Sequence, residues 1–424
     1  MDHPRLRPHY GWIILAMGTL AVFGALGLGR FGYTAVLPDM QADLGLGNTQ
    51  AGMLATANLI GYLILSALGG ALASRYGARL LITAGLVLAG LGMVMTGLSG
   101  GLLSAALWRA LTGMGSGASN ISVLGMLTAW FTARRRGLAT GIAVAGSSVG
   151  MIFTGLAVPH ILAAYKEGWR ICWVVFGGIT FLLALGSYLF LRNKPSGKGL
   201  ALLAAGRAAE PAAGEPAAGE PAAKIPWRKI YRSAQVWHLG LVYIAFGLSY
   251  IIFMTFFVKR LVADAGYTKQ AALGLYMAMG WSSLFCGVIW GALSDAIGRK
   301  RVLLIVYLIQ SASFGLFALA PNRACFALSA VLFGLTAWSI PAIMAAACGD
   351  ILGARLAPAA LGFITLFLGL GQALGPSLAG AMADAAGSFR PAFLLASAVA
   401  LVGAFGVTLL KMGHRGDGVG ELPK

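Results

Sequence analysis

Charge is scarce in this sequence. Of 424 residues only 10% are Asp, Glu, Lys or Arg, whereas 58% are hydrophobic, and mean hydropathy is +0.82. A water-soluble chain covers its surface with about a quarter charged residues. A soluble enzyme or nucleic-acid-binding protein is therefore excluded, and lipid has to cover this surface. Acids are the scarcer sign: 13 stand against 31 Lys and Arg, a net charge of +18. Cysteine is also rare. Cys172, Cys286, Cys325 and Cys348 lie in apolar segments at spacings that chelate no metal, the usage of small buried hydrophobes. No metal cluster, cofactor motif or nucleophile–base constellation stands out, which speaks against an enzyme. No small-residue cleavage site marks the first apolar stretch as a leader.

What the chain has in quantity is apolar runs of about 20 residues, the length that crosses a bilayer as a helix. They fall at 11–37, 50–73, 79–99, 102–131, 137–164 and 169–191, and after a break at 236–258, 270–294, 302–320, 323–352, 358–383 and 390–410. The break contains AAEPAAGEPAAGEPAAK at 208–224, whose recurrent Pro and Gly describe a tether rather than a packed core. The basic, aromatic IPWRKIYRSAQVWHLG that follows suits a short helix on the membrane surface. Outside the spans, 22 Lys and Arg fall on the side of the N-terminus and 7 on the other, with Arg30 and Arg109 inside spans. This imbalance places both termini and the tether in the cytoplasm and accounts for the positive charge without nucleic acid. GALASRYGAR at 70–79 is echoed by GALSDAIGRK at 291–300, half a chain later. The expected fold is an all-α membrane protein, twelve transmembrane helices in two pseudo-symmetric six-helix bundles: 1–192, a cytoplasmic linker 193–235, and 236–424. Duplicated six-span units carry their binding site between the halves, near mid-membrane.

The 291–300 segment resembles the loop signature of the major facilitator superfamily, and Arg109-Ala-Leu-Thr-Gly113-Met-Gly115 resembles its fourth-span signature. YGWIILA at Tyr10 and RRRGLATGIAVAGSSVG at 134–150 are similar to the openings of spans 1 and 5 in monocarboxylate and oxalate/formate porters, and GRFGYTAVLP resembles related bacterial porters. The resemblance implies a secondary transporter in the cell (inner) membrane, monomeric, surrounded by membrane lipids, moving a small organic anion such as a monocarboxylate. Proton symport is the family expectation; exchange and uniport stay open, because none of Asp39, His160 and Asp350 sits at mid-membrane. The chain departs from the pattern in having Ser74 where the loop signature has an acid, no arginine in span 8, and Gln372 without a lysine in span 11. Efflux of amphipathic compounds is the alternative, against which the missing Gly-Pro of span 5 counts.

Arg30 is the sharpest candidate. A guanidinium in a span costs at least about 3 kcal/mol on insertion scales, so something anionic or strongly polar has to compensate. Either it binds a substrate carboxylate, at the spacing where mammalian monocarboxylate transporters carry a lysine, or it pairs structurally, with Asp39 as partner. Tyr33 and Thr34 share its face. Arg109, on one face with Gly113, Ser116 and Asn120, is either a substrate ligand or a structural residue. Asn58, Tyr62 and Ser66, Ser147 and Thr154, Tyr243 and Tyr250, Trp281, Trp338 and Gln372 are candidates to line the cavity, each with helix packing as its alternative. Asp295 and Arg299, with Arg134, Arg135 and Arg136, are expected to latch the halves on the cytoplasmic side. The literal G-x-G-x-x-G from Gly27 to Gly32 lies inside a span, where small residues let helices approach, and follows no strand as a dinucleotide site would.

Overall fold

A computed structural model describes residues 10–193, 226–353 and 356–410. The tether, both termini and the side chain of Arg134 lie outside the described residues. Within them the chain is helical with no β-strand. The first span is composite: α1 (Tyr10–Val22), a π-helical segment (Phe23–Phe31) and α2 (Gly32–Asp43) run on without a break. Then come α3 (Asn48–Tyr76), α4 (Ala78–Gly97), α5 (Leu102–Trp130), α6 (Ala133–Ala164), α7 (Gly168–Phe190) and the short α8 (Trp227–Tyr231). The second half holds α9 (Ala234–Ala263), α10 (Lys269–Ser283), α11 (Cys286–Ile297), α12 (Arg299–Leu319), α13 (Arg323–Thr336), α14 (Ser339–Leu352), α15 (Ala357–Ala386) and α16 (Arg390–Leu409).

Helices up to α7 pack mainly among themselves, as do α9 to α16, and the two groups meet through α3 with α15, α6 with α10, and α2 with α9. Tyr10 reaches the carbonyl of Phe190, and Lys300 that of Leu410. These contacts define a proximal end of the bundle; the loops at Gly45 and Gly387 define the distal end.

Ten helices are long and apolar enough to cross a membrane among the described residues, where the sequence leads one to expect twelve. The two expected spans that fall short are 102–131 and 270–294. α5 covers the first as an unbroken helix of 29 residues, but Arg109 and a face of Thr112, Ser116, Ser119, Asn120 and Ser122 lower its hydropathy. The second divides at Leu284–Phe285 into helices of 15 and 12 residues. The first span outruns expectation: its helix continues through Pro38 to Asp43.

The break between α10 and α11 faces another between α13 and α14. Trp338 donates its backbone N–H to the Cys286 sulfur at 3.2 Å, Trp290 donates its indole N–H to Leu335 O at 2.6 Å, and Gln310 donates to Thr336 O at 3.2 Å. Backbone groups released by the α13–α14 break thus find side-chain partners inside the protein, as apolar surroundings require.

Candidate substrate site between the helix bundles

The π-helical segment, FGALGLGRF, sets the site up. A wide i→i+5 turn is rare and concentrates at functional positions. Here the backbone N–H of Gly32 bonds to Gly27 O. Four residues apart, the carbonyls of Ala25 and Gly29 accept from Ser116 Oγ (2.6 Å) and Arg109 Nη1 (2.7 Å) on α5. On the segment's other side a Cβ on Gly27 would stand 2.8 Å from the Gly150 Cα of α6. The glycines therefore permit backbone-to-backbone approach, and the two α5 donors hold the turn from which Arg30 projects.

Arg30 emerges from this segment toward the junction of the bundles. Its guanidinium lies over the Tyr62 ring at 4.2 Å and beside Tyr250. Asn120 Nδ2 donates to the Tyr62 hydroxyl and Gln372 Nε2 to the Tyr250 hydroxyl, each at 2.9 Å. Tyr62 and Asn120 belong to the first bundle, Tyr250 and Gln372 to the second. Tyr243, Phe246 and Tyr250 form a stacked ladder with centroid spacings of 6.0 and 4.7 Å. Nε and Nη2 of Arg30, Oδ1 of Asn120 and Oγ of Ser66 are buried with no hydrogen-bond partner among the described residues. The expected partner Asp39 is engaged elsewhere, with Lys269 of α10. The site therefore presents an incompletely satisfied cation and an amide oxygen in an aromatic surround, an arrangement that complements a carboxylate bearing further polar groups.

Arg109 is placed differently. Only 1% exposed, it is held by Gly29 O and lies between the rings of Tyr33 and Trp173 at 4.7 and 5.0 Å. Asn58 Nδ2 donates to the backbone carbonyl of Arg109 at 3.0 Å, and the Tyr33 hydroxyl to Ala51 O at 2.7 Å. These three residues tie α3, α5 and the π segment together beside Arg30. They share with Arg30, Thr34, Met254 and Thr255 a narrow cleft.

Trp281 requires a correction. It is 54% exposed, because Met277 and Gly280 of α10 meet α6 while Tyr276 turns to Phe31 O, leaving Trp281 on the outer face of the bundle. Trp338 does reach the junction: its ring stands 5.3 Å from Phe31, and its indole N–H donates to Ser148 Oγ at 3.1 Å. Ser148, which also receives the Ser283 hydroxyl at 2.7 Å, is the bridging residue; its neighbour Ser147 is buried with no bond across the junction among the described residues. One helical position, 100° of rotation, separates the two, and periodicity alone does not choose between them.

The distal ends of the bundles are joined. Asp384 of α15 accepts from Asn48 N, Thr49 N and Thr49 Oγ1 at 3.0, 2.8 and 2.6 Å, capping the first turn of α3 from the other bundle. Thr34 donates to Met254 O and Tyr276 to Phe31 O, at 2.8 and 2.9 Å. Gly52 and Gly380 let α3 and α15 cross with backbones in contact, since a Cβ on either would overlap the other helix. Sequence reasoning passed over Asp384; its cue is an acid at the end of span 11 and an uncapped Gly-Asn-Thr opening span 2. At the proximal end, Asp295 pairs with Arg299 of its own bundle at 2.6 Å, and Arg299 also reaches Asp350 at 3.6 Å. Arg136 donates to Thr128 O at 3.3 Å. Among the described residues, Asp295, Arg299 and Arg136 thus have no contact with one another across the junction; the Arg134 side chain lies outside the described residues.

A family model described as "Uncharacterised MFS-type transporter YbfB" matches residues 22–408. The chain belongs to that family. This MFS-type transporter is 26% identical to the hexuronate transporter of Bacillus subtilis (strain 168), over 90% of both chains. It is also 26% identical to human monocarboxylate transporter 11, over 93% of this chain and 82% of the relative. Among solved structures it superposes on a bacterial homolog of the human lysosomal transporter Spinster, inward-facing and unoccupied, with a TM-score of 0.77, 18% identity and coverage of 95% and 97%. The last likeness supports the MFS fold of a multi-pass membrane protein.

Proposed function

We propose that this MFS-type transporter carries a small organic anion with one carboxylate, probed first as a monocarboxylate, by alternating access between its two bundles. The observation that carries the reading is Arg30. Its guanidinium sits where the bundles meet, with two buried N–H-bearing nitrogens that no described side chain or carbonyl satisfies, and a carboxylate satisfies such a fork with two parallel bonds. Tyr62, Asn120, Tyr250 and Gln372 supply polar contacts from both bundles; Tyr243 and Trp338 supply apolar wall. Relatives named for hexuronate and monocarboxylates support an organic acid. In this reading the chain crosses the inner membrane twelve times, α5 and the α10–α11 pair included, with both termini and the 193–235 linker cytoplasmic between bundles 1–192 and 236–424. The distal contacts then form the outer gate, and the structure represents an inward-facing state in which the Asp295 latch has parted. Proton coupling is tested by whether a pH gradient alone drives uptake. Liposomes containing the purified protein should accumulate a labelled monocarboxylate or sugar acid and ignore a cationic dye. Transport of the dye with no anion uptake would refute the proposal and favour amphipath efflux.

A further inference from the structure

The face formed by α8 and the start of α9 carries chemistry that transport does not use. α8 is anchored, not loose: Ile230 is fully buried, the Trp237 indole donates to Tyr231 O at 2.9 Å, and the Ser233 hydroxyl caps Val236 N of α9. Aromatic rings form a continuous patch beside it. Trp227 stacks on Tyr231 at 5.7 Å, Tyr231 meets Phe363 of α15 at 5.3 Å, and Phe363 meets Trp237 at 5.2 Å.

The side chains on this face change in a fixed order. Deeper in the bundle, Leu241 of α9 and Leu366 of α15 are exposed; Trp237, Tyr231 and Trp227 follow; Arg228, Lys229 and Arg232 come last, all exposed. Apolar, then aromatic, then cationic is the sequence of environments from acyl chain through interface to headgroup. The cations have no ion pair among the described residues, whose proximal acids Asp295 and Asp350 both engage Arg299. Three exposed cations on an anchored ledge, with no ion pair among the described residues, favour a mobile anion of the membrane surface.

We propose that α8 and the beginning of α9 form a binding site for an acidic phospholipid, its phosphate held by Arg228, Lys229 and Arg232 and its chains lying along Leu241 and Leu366. The aromatic patch spans α8, α9 and α15, so the lipid fastens the second bundle, by the proximal ends of two helices that border the substrate site, to one leaflet.

Native mass spectrometry of the full chain, titrated with phosphatidylglycerol or phosphatidylcholine of identical chains, tests this. Wild type should retain phosphatidylglycerol in preference. The triple variant Arg228→Gln/Lys229→Gln/Arg232→Gln should lose roughly tenfold or more in apparent affinity for it, while Arg228→Lys/Arg232→Lys keeps the preference. Equal retention of both lipids by wild type, or unchanged retention by the triple variant, would overturn the proposal. Should the triple variant not purify, position is read on folded protein. Chain-brominated phosphatidylglycerol should quench the emission that separates wild type from Trp237→Phe, and equal quenching by brominated phosphatidylcholine counts against the site. Glycerophosphoglycerol, the headgroup without chains, should not displace the lipid; displacement would mean that a soluble phosphate is the ligand. None of these readouts requires transport, so the outcome is separate from the identity of the substrate.

Discussion

Replacing Arg30 by Gln removes the cation but keeps a polar side chain near Tyr62 and Tyr250. A bidentate carboxylate makes two charge-assisted hydrogen bonds with the guanidinium, each worth about 1.5 kcal/mol or more. Arg30→Gln should therefore cost at least about 3 kcal/mol of binding, two decades in affinity at roughly 1.4 kcal/mol per decade. Arg30→Lys keeps the charge. It loses one of the two bonds and the planar stacking on Tyr62, which lies at 4.2 Å and contributes on the order of 0.5–1 kcal/mol. The sum, about 2 kcal/mol, predicts a loss of roughly 30-fold. Titration calorimetry in detergent with the anion found by uptake gives the affinities, and liposome flux gives the activity. The ligand-free protein supplies a second reading. If the unpartnered nitrogens belong to a substrate fork, Arg30→Gln removes an unsatisfied buried cation and leaves the melting temperature unchanged or higher. Affinity for the anion within threefold of wild type, with a lowered melting temperature, would refute the assignment and make Arg30 a packing residue.

Four further outcomes follow from the same geometry. Arg109→Lys cannot both reach Gly29 O and fill the slot between Tyr33 and Trp173, and thermal unfolding should report a loss of about 2 kcal/mol or more even without ligand. Asp384→Ala uncaps α3 at the junction, a loss of about 1 kcal/mol, so spin-label distances between the distal ends of α3 and α15 should shift roughly fivefold in population toward separation; an unchanged distribution would show that Asp384 does not hold the gate. Gly150→Ala drives a methyl into the backbone at Gly27 and should abolish a monodisperse peak in detergent, whereas Gly141→Ala, with open space around it, should not. In a Cys325→Ser background, an impermeant maleimide should label Gly100→Cys on intact cells and Gly137→Cys only after permeabilisation; the reverse pattern would invert the topology.

Hydropathy made most spans legible, because a bilayer imposes its thickness on any chain that crosses it. It was less informative where function loads a helix with polarity. α5 carries a buried arginine and a face of hydroxyls, and span 8 is cut in two; both read as ordinary spans by eye and fall below the length or apolarity of their neighbours. Within the site, residue type identified Arg30, Tyr62, Asn120, Tyr250 and Gln372 as candidates, and the structure brings these together, because a charge or amide inside a span has few other places to go. Facing was harder to read. Trp281 and Ser147 each miss the junction, since direction depends on a helix's rotation against neighbours that a single sequence does not reveal. Asp384 escaped because its partners are backbone N–H groups, which every residue but proline has. The π segment escaped for a related reason: its glycines permit several backbone paths, and what selects one is a pair of donors, Arg109 and Ser116, some eighty residues away.

That wide turn makes the aim of Arg30 a matter of counting. A π segment holds more residues per turn than the α-helices on either side of it. A one-residue deletion between Phe23 and Gly29 would be absorbed by closing the wide turn, whereas one in α1 that left the wide turn in place would turn everything beyond it by about 100°. Arg30 would leave Tyr62 and swing against its own bundle without a single substitution. On the proposed role of Arg30, specificity is therefore exposed to insertion and deletion as much as to replacement. Two chains with the same arginine in the same span can differ in what they carry through one residue of phase.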